Sequence, residues 1–182
     1  MNATLALSTE LPIAAISLPE IARRAKVSVQ TVLRQFESRD GLLDATVAFA
    51  QAEVTEERRA VPGDVPAALR VLVDHYEHRG DGVLLLLGQE PWEPRAAAIT
   101  DAGRALHREW VSAVFTPVLA DRDATRRDEM IDLLVVATDV YTWKLLRRDR
   151  RLSRSDTEAR MLLLVESVLK GNHHVPDPLR HD

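Results

Sequence analysis

Residues 17–36, SLPEIARRAKVSVQTVLRQF, constrain the chain more than any other stretch, because they hold two short helices, a tight turn and a start signal for each helix. Ser17 followed by Glu20 gives the reciprocal S-x-x-E capping pattern, and Pro19 is tolerated in a first turn whose N–H groups have no helical partners. Ile16 and Ile21 fall at the two positions of a hydrophobic staple. Ile21, Ala22 and Ala25 form one apolar stripe, Val27 follows in the turn, and Ser28 offers a second N-cap to a helix whose Val32 and Phe36 recur four apart. Val29, Gln30, Thr31, Arg34 and Gln35 are left for the outside of that second helix. Two such helices predict a helix-turn-helix. Gln and Arg can pair bidentately with adenine and guanine edges in the major groove, and Thr and Val can meet a thymine methyl. Gln30 and Arg34 are therefore expected to read bases, whereas Ser17 and Arg39, at helix starts, are expected to hold phosphates, and Ser28, Val29, Thr31, Leu33 and Gln35 complete the expected DNA-binding set.

Helical patterns continue on both sides. Leu5, Leu7 and Leu11 suggest a short first helix that Pro12 must stop. Ser38 caps a helix with Leu42, Leu43, Thr46, Val47, Ala50 and Val54 in a stripe running toward Val61 and ended by Pro62-Gly63. Asp64 caps the next, with Leu69, Leu72, Val73 and Tyr76 inward, and Gly80-Asp81-Gly82 is expected to stop it. Residues 83–88, VLLLLG, are apolar all round and predict a separate buried helix, since no neighbouring segment could pair with a strand. A loop at residues 90–94 precedes a helix carrying Ile99, Leu106, Trp110 and Val114. Thr125-x-x-Asp128 is a possible capping box for a single long helix over residues 126–148, and Ser155-x-x-Glu158 for a last one that Gly171 closes. The fold expected is all-α, with a head over residues 1–60, a body over 61–172 and a frayed tail over 173–182.

The last helix also speaks to assembly. At 100° per residue, Ala159, Leu162 and Leu163 cover one side, and Met161, Leu164, Val165 and Val168 cover much of the other. A helix apolar on two sides is buried on two sides, one of them by a symmetry mate. The expected dimer interface runs through Val140, Leu162, Val165, Val168 and Leu169, pairing this helix with residues 135–146 in an intermolecular four-helix bundle.

Composition narrows the chemistry. The chain has no cysteine, which excludes disulfides, thiolate zinc sites and cysteine nucleophiles. Twenty-four Lys and Arg against 28 Asp and Glu give a net charge of −4, so a general nucleic-acid coat is disfavoured and a local basic patch suffices for a sequence-specific binder. No apolar run approaches the roughly 20 residues of a membrane span, and no secretory leader is visible, so a cytoplasmic protein is expected. There is no Gly-rich phosphate loop, G-x-S-x-G or H-E-x-x-H, so neither catalysis nor a cofactor is expected. His75, His78 and His107 with Asp139 lack a second pair at ligand spacing, and no metal is expected either. The arginines at 147, 148, 150, 151 and 154 read as a solvated helix end.

The segment from Ser17 through Leu43, in particular IARRAKVS, TVLRQF and ESRDGLLDA, resembles the DNA-binding motif of the TetR family of transcriptional repressors. The run VYTWKLLRRDRRLSRSDTEARMLLLVESVL resembles the last two helices of actinobacterial-type members more weakly, and the middle matches only in helical character. The family pattern has Gly in the turn and Tyr in the recognition helix where this chain has Lys26 and Leu33, so a phosphate contact the Tyr supplies is not available from Leu33. The first helix is also shorter than the resemblance implies, with a misplaced start or a shortened form as the plainer reading and a natural protein with a weakened DNA-binding domain as the sharper one. The resemblance implies a homodimer that binds a double-stranded, palindromic DNA operator and is released from it by a small-molecule effector. In that context Tyr76, Trp110 and Trp143 can wall a pocket, with His75, His107 and Asp139 as its polar members. A second reading stays open: a helical ligand-binding or interaction protein of the same family that has lost DNA binding.

Overall fold

The computed structural model describes residues 1–171. The expected frayed tail at 173–182 lies outside the described residues. Among the described residues nine α-helices follow one another: α1 (Asn2–Ser8), α2 (Leu18–Ala25), α3 (Val29–Phe36), α4 (Arg39–Glu57), α5 (Val65–Leu87), α6 (Pro94–Phe115), α7 (Ala124–Ala137), α8 (Val140–Lys144) and α9 (Arg154–Lys170). Among the described residues there is no strand, so the fold is all-α. None of the described helices is long and apolar enough to cross a membrane.

Side-chain caps set the starts of most helices. Ser17, Ser28 and Ser38 accept from the N–H groups of Glu20, Thr31 and Gly41, and Asp64 does the same for Ala67. The Ser17 box closes on one side only, because the Glu20 carboxylate turns to Arg23. Leu7, Ile16, Ile21, Ala22, Val32 and Leu42 then pack one small core beneath α1 to α4, with Phe36 against it. A second cluster, Ile13, Leu43 and Ala96 with Leu86 and Ile99, joins this head to the body. There the Ile13 N–H donates to the Gln89 side-chain oxygen at 2.8 Å, 76 residues away.

Three expectations about the body are corrected. The helix after Asp64 does not stop at Gly80 or Gly82 but runs unbroken to Leu87, absorbing residues 83–87. Both glycines are there for close approach: a Cβ on Gly80 would come 2.6 Å from the Trp143 ring, and one on Gly82 would come 2.8 Å from Thr9 Cγ2. Their helix cost, about 1 kcal/mol each, is offset by the packing they permit. The single helix expected over 126–148 is broken at Thr138 and Asp139, where the Asp139 carboxylate caps α8 through the Tyr141 N–H. A wide π-helical turn, Leu145–Asp149, follows. The caps also shift by two residues, to Asp123 for α7 and Ser153 for α9.

The arginines after α8 are not a merely solvated end. Arg147 pairs with Glu77, Arg148 with Asp81, and Arg154 with Asp74 and Glu158, so the connection is stitched to α5. Trp143 lies fully buried between them, its Nε1 donating to Glu77 and its ring under the Arg148 guanidinium at 4.4 Å.

Two residues expected in a dimer seam belong to the chain's own core. Val165 is 0% exposed and Val140 7% exposed, both within the cluster of Leu69, Leu72, Val73, Phe115, Leu134 and Met161. Leu162, Val168 and Leu169 are half-buried against the same cluster. On α7 and α9 the large apolar side chains left outward are Leu163 at 62%, Leu164 at 44%, Leu133 at 43% and Val136 at 65% exposed. The two-sided character of α9 is real, but its inner side is set by Thr157, Met161 and Val165.

Gly80→Ala should lower stability by about 1–3 kcal/mol, because the added methyl drives against a buried indole that cannot move aside. Chemical denaturation read by Trp fluorescence checks it, and Trp143→Leu in the same background should recover part of the loss.

Candidate DNA-binding surface and effector cavity

The first part of the site is the outer surface of α3. Gln30, Leu33, Arg34 and Gln35 are exposed, as is Ser28, while Val29 and Thr31 are half-buried toward the head core. Gln30 and Arg34 stand four apart and share a face. Ser28 holds the helix start through both the Thr31 N–H and the Thr31 hydroxyl, at 3.1 Å and 2.9 Å. The turn before it is carried by Lys26 in the left-handed region, φ 55°, a conformation that costs a non-glycine residue about 1–2 kcal/mol. Sequence reasoning left Lys26 aside as a departure. Among residues 17–39, however, Lys26 and Arg34 are the cations with no ion pair among the described residues, since Arg23, Arg24 and Arg39 pair with Glu20, Glu10 and Asp40.

Arg39 is not free to hold a phosphate in the way its helix-start position suggests. Its Nε donates to the Ile16 carbonyl at 2.6 Å and its Nη2 to the Ile13 carbonyl at 2.5 Å, with Asp40 near its Nη1 at 3.6 Å. The side chain ties the short 3₁₀ turn Ile13–Ala15 to α4 and so braces the head from within. Ser17 Oγ accepts from the Glu20 N–H at 3.4 Å, which leaves its O–H able to donate to a phosphate. Gln30→Ala should leave the melting temperature unchanged and cost about 1–3 kcal/mol at one operator position. Arg39→Ala should destabilise the head by about 1–3 kcal/mol through two lost charged hydrogen bonds. Fluorescence anisotropy across salt concentrations distinguishes them, and Arg39→Ala should leave the salt slope unchanged.

The second part is a cavity of about 280 Å³ between head and body. Its walls come from α1 (Thr4, Leu5, Ser8), α4 (Val47, Val54, Arg58 just past its end), α5 (His75, Tyr76, Val83, Leu87), α6 (Ile99, Leu106, His107) and the break before α8 (Asp139, Tyr141). Of the expected pocket residues, His75, Tyr76, His107 and Asp139 line it and Trp110 and Trp143 do not. Trp143 is walled off in the core, and Trp110 stands behind His107, stacked on it at 6.1 Å with its Nε1 donating to the Arg58 carbonyl.

Arg58 is the group sequence reasoning missed. It is 6% exposed, its guanidinium lies over the Trp110 ring at 4.7 Å, and its Nη2 donates to His107 Nδ1 at 2.6 Å. That fixes the tautomer: with Nδ1 accepting, Nε2 carries the proton and donates to Thr138 Oγ1 at 3.2 Å, and Thr138 in turn donates to the Leu134 carbonyl at 2.6 Å. The Tyr76 hydroxyl donates to the Thr138 carbonyl at 2.9 Å, so the network ends on the helix break. No periodicity marks Arg58, which follows a helix of surface character and precedes a second arginine.

Burial, then the nearby Arg58 charge, holds His107 down to about 3. The same two causes hold His75 down to about 4 against its 3.1 Å contact with Glu57. The Glu57 carboxyl is lowered to about 2, first by Arg79 and then by His75. Burial raises both Tyr76 and Asp139. Both histidines are therefore neutral at pH 7, and protons favour the unfolded chain. Their contribution to stability is full above the unfolded histidine value near 6.5 and is lost as pH falls from there toward 4 and 3. Between pH 6.5 and 5 the unfolding free energy should drop by up to about 1.4 kcal/mol per pH unit for each histidine. His107→Gln should remove about half of that slope in denaturation curves, since the amide can both accept from Arg58 and donate to Thr138.

A helix-turn-helix with an outward polar recognition face, set on an all-α body, defines a DNA-binding transcriptional regulator. Residues 1–46 match the model of the bacterial regulatory proteins, tetR family. Residues 1–46 thus carry a helix-turn-helix domain of the TetR family type, and the match ends within α4, short of the cavity-bearing body. No curated protein matches the chain.

Proposed function

We propose that the protein is a homodimeric repressor whose hold on a palindromic operator is released by a small molecule bound in the body. A head to about residue 60 would contact DNA, and the body from residue 61 would bind the effector and dimerise. The observation that carries this reading is the cavity wall shared by α1 and α4 of the head with α5 and α6 of the body. A molecule lodged there touches the elements that position the recognition helix. If it prefers a head placement unsuited to successive major grooves, it weakens DNA binding by the factor that DNA weakens its own binding.

Dimerisation supports the same mechanism, because two heads about 34 Å apart make the second half-site contact intramolecular. The outward Leu163 and Leu164 on α9 and Leu133 and Val136 on α7 form the apolar surface suited to a symmetry mate.

The test is a gel shift on the DNA upstream of the protein's own coding region, with light scattering on the same sample. Wild type should be a dimer at micromolar concentration and give a footprint with two-fold symmetry. Leu163→Glu, at an exposed position, should fold, run as a monomer and lose at least tenfold in operator affinity. A monomeric wild type, or a Leu163→Glu protein that stays dimeric, overturns this interface. Val165→Arg is the contrasting control: it buries a charge in the chain's own core and should fail to fold.

A further inference from the structure

Four arginines line the cavity: Arg58, Arg79, Arg95 and Arg104. Three are neutralised by carboxylates. Arg79 pairs with Glu53 and Glu57, Arg95 with Asp40 and Asp44, and Arg104 with Glu90 and Asp101. Arg58 is different. It is more than nine-tenths buried, its Nε has no hydrogen-bond partner, and its Nη2 meets a neutral imidazole rather than an acid. Among the described residues it is in no ion pair. A guanidinium held in an apolar setting without a counter-ion is costly, and a planar carboxylate is the group whose two oxygens match its fork.

The other polar groups at this end are already committed. His107 spends both nitrogens on Arg58 and Thr138, Tyr76 donates to the Thr138 carbonyl, and His75 faces Glu57. Asp139 is the one acid in the lining, and it accepts from the Tyr141 N–H as the cap of α8. Most of the remaining wall is aliphatic, with Val47, Val54, Val83 and Leu87 along its length and Ser8, Thr46, Gln51 and Thr100 among them. On the head side the buried Thr4 hydroxyl is a second lining group with an unpartnered polar atom, beside Arg58 Nε.

We infer that the effector is a small amphipathic carboxylate, its acid head group paired with Arg58 and its apolar stem lying in the aliphatic cavity against α1. This rests on the ligand-responsive reading above. The cavity, about 280 Å³, has room for an aliphatic stem of several carbons, and octanoate is a simple probe of that class.

The test uses the full chain at pH 7.5 with three probes that share one stem: octanoate, 1-octanol and octylamine. Calorimetric titration should show octanoate binding at least tenfold tighter than octanol, with octylamine weakest, and octanoate alone should raise the melting temperature clearly at submillimolar concentration. Arg58→Met should bring octanoate down to the octanol level while octanol is unaffected. Arg58→Lys, which keeps the charge, should retain a reduced preference for octanoate, and it decides the matter where the methionine variant does not fold. Octanol or octylamine binding as tightly as octanoate to wild type, or octanoate binding that survives Arg58→Met, overturns the carboxylate assignment but leaves an effector cavity. If none of the three binds at millimolar concentration, the carboxylate assignment fails and the ligand-responsive reading loses its support with it.

Discussion

The buried Arg58 guanidinium is the contact on which the relation between the two halves of this protein turns. It sits immediately past the end of α4, and it is held by an imidazole from α6 and an indole face from the same helix. Through His107 and Thr138 it reaches the break between α7 and α8, where Tyr76 of α5 arrives from the other side. Four body helices thus converge on one head-derived cation. A chain of hydrogen bonds in a low-dielectric interior is strong when complete and costly when broken, so the end of α4 has few alternative positions.

Much of the head was legible in the sequence, because local rules fix it. Ser17, Ser28 and Ser38 name their own helices, Ile16 and Ile21 meet as a staple should, and the period of Val32 and Phe36 points inward. The failures share a cause. Gly80 and Gly82 read as a stop because glycine weakens a helix, yet here they make room for Trp143 and Thr9, contacts that span more than sixty residues and leave no local trace. Arg39 looked like a phosphate ligand from its position, but two carbonyls of the preceding turn claim it.

In the body the limits are tertiary as well. The apolar set on α9 was correct as a set, but which of two apolar sides faces α5 is decided by neighbours that periodicity does not name. The pocket was half found: His75, Tyr76, His107 and Asp139 are in its wall, while the two tryptophans behind it were indistinguishable from lining residues at the level of composition. Arg58 gave no signal because a lone arginine in an exposed-looking run E-E-R-R is ordinary, and only burial without a carboxylate makes it informative.

Because α5 passes both glycines without a break, its 23 residues form one continuous strut about 35 Å long. The core of Leu69, Leu72 and Val73 grips its first half, while Thr9 of the head rests on Gly82 near the other end. A strut clamped at one end offers no joint in its middle. Any change in how α4 stands against α5 must carry or break the Arg79 pairs with Glu53 and Glu57. The bare backbone at Gly82 that lets Thr9 approach also sets how close the head can stand to α5, since a Cβ there would meet Thr9 at 2.8 Å.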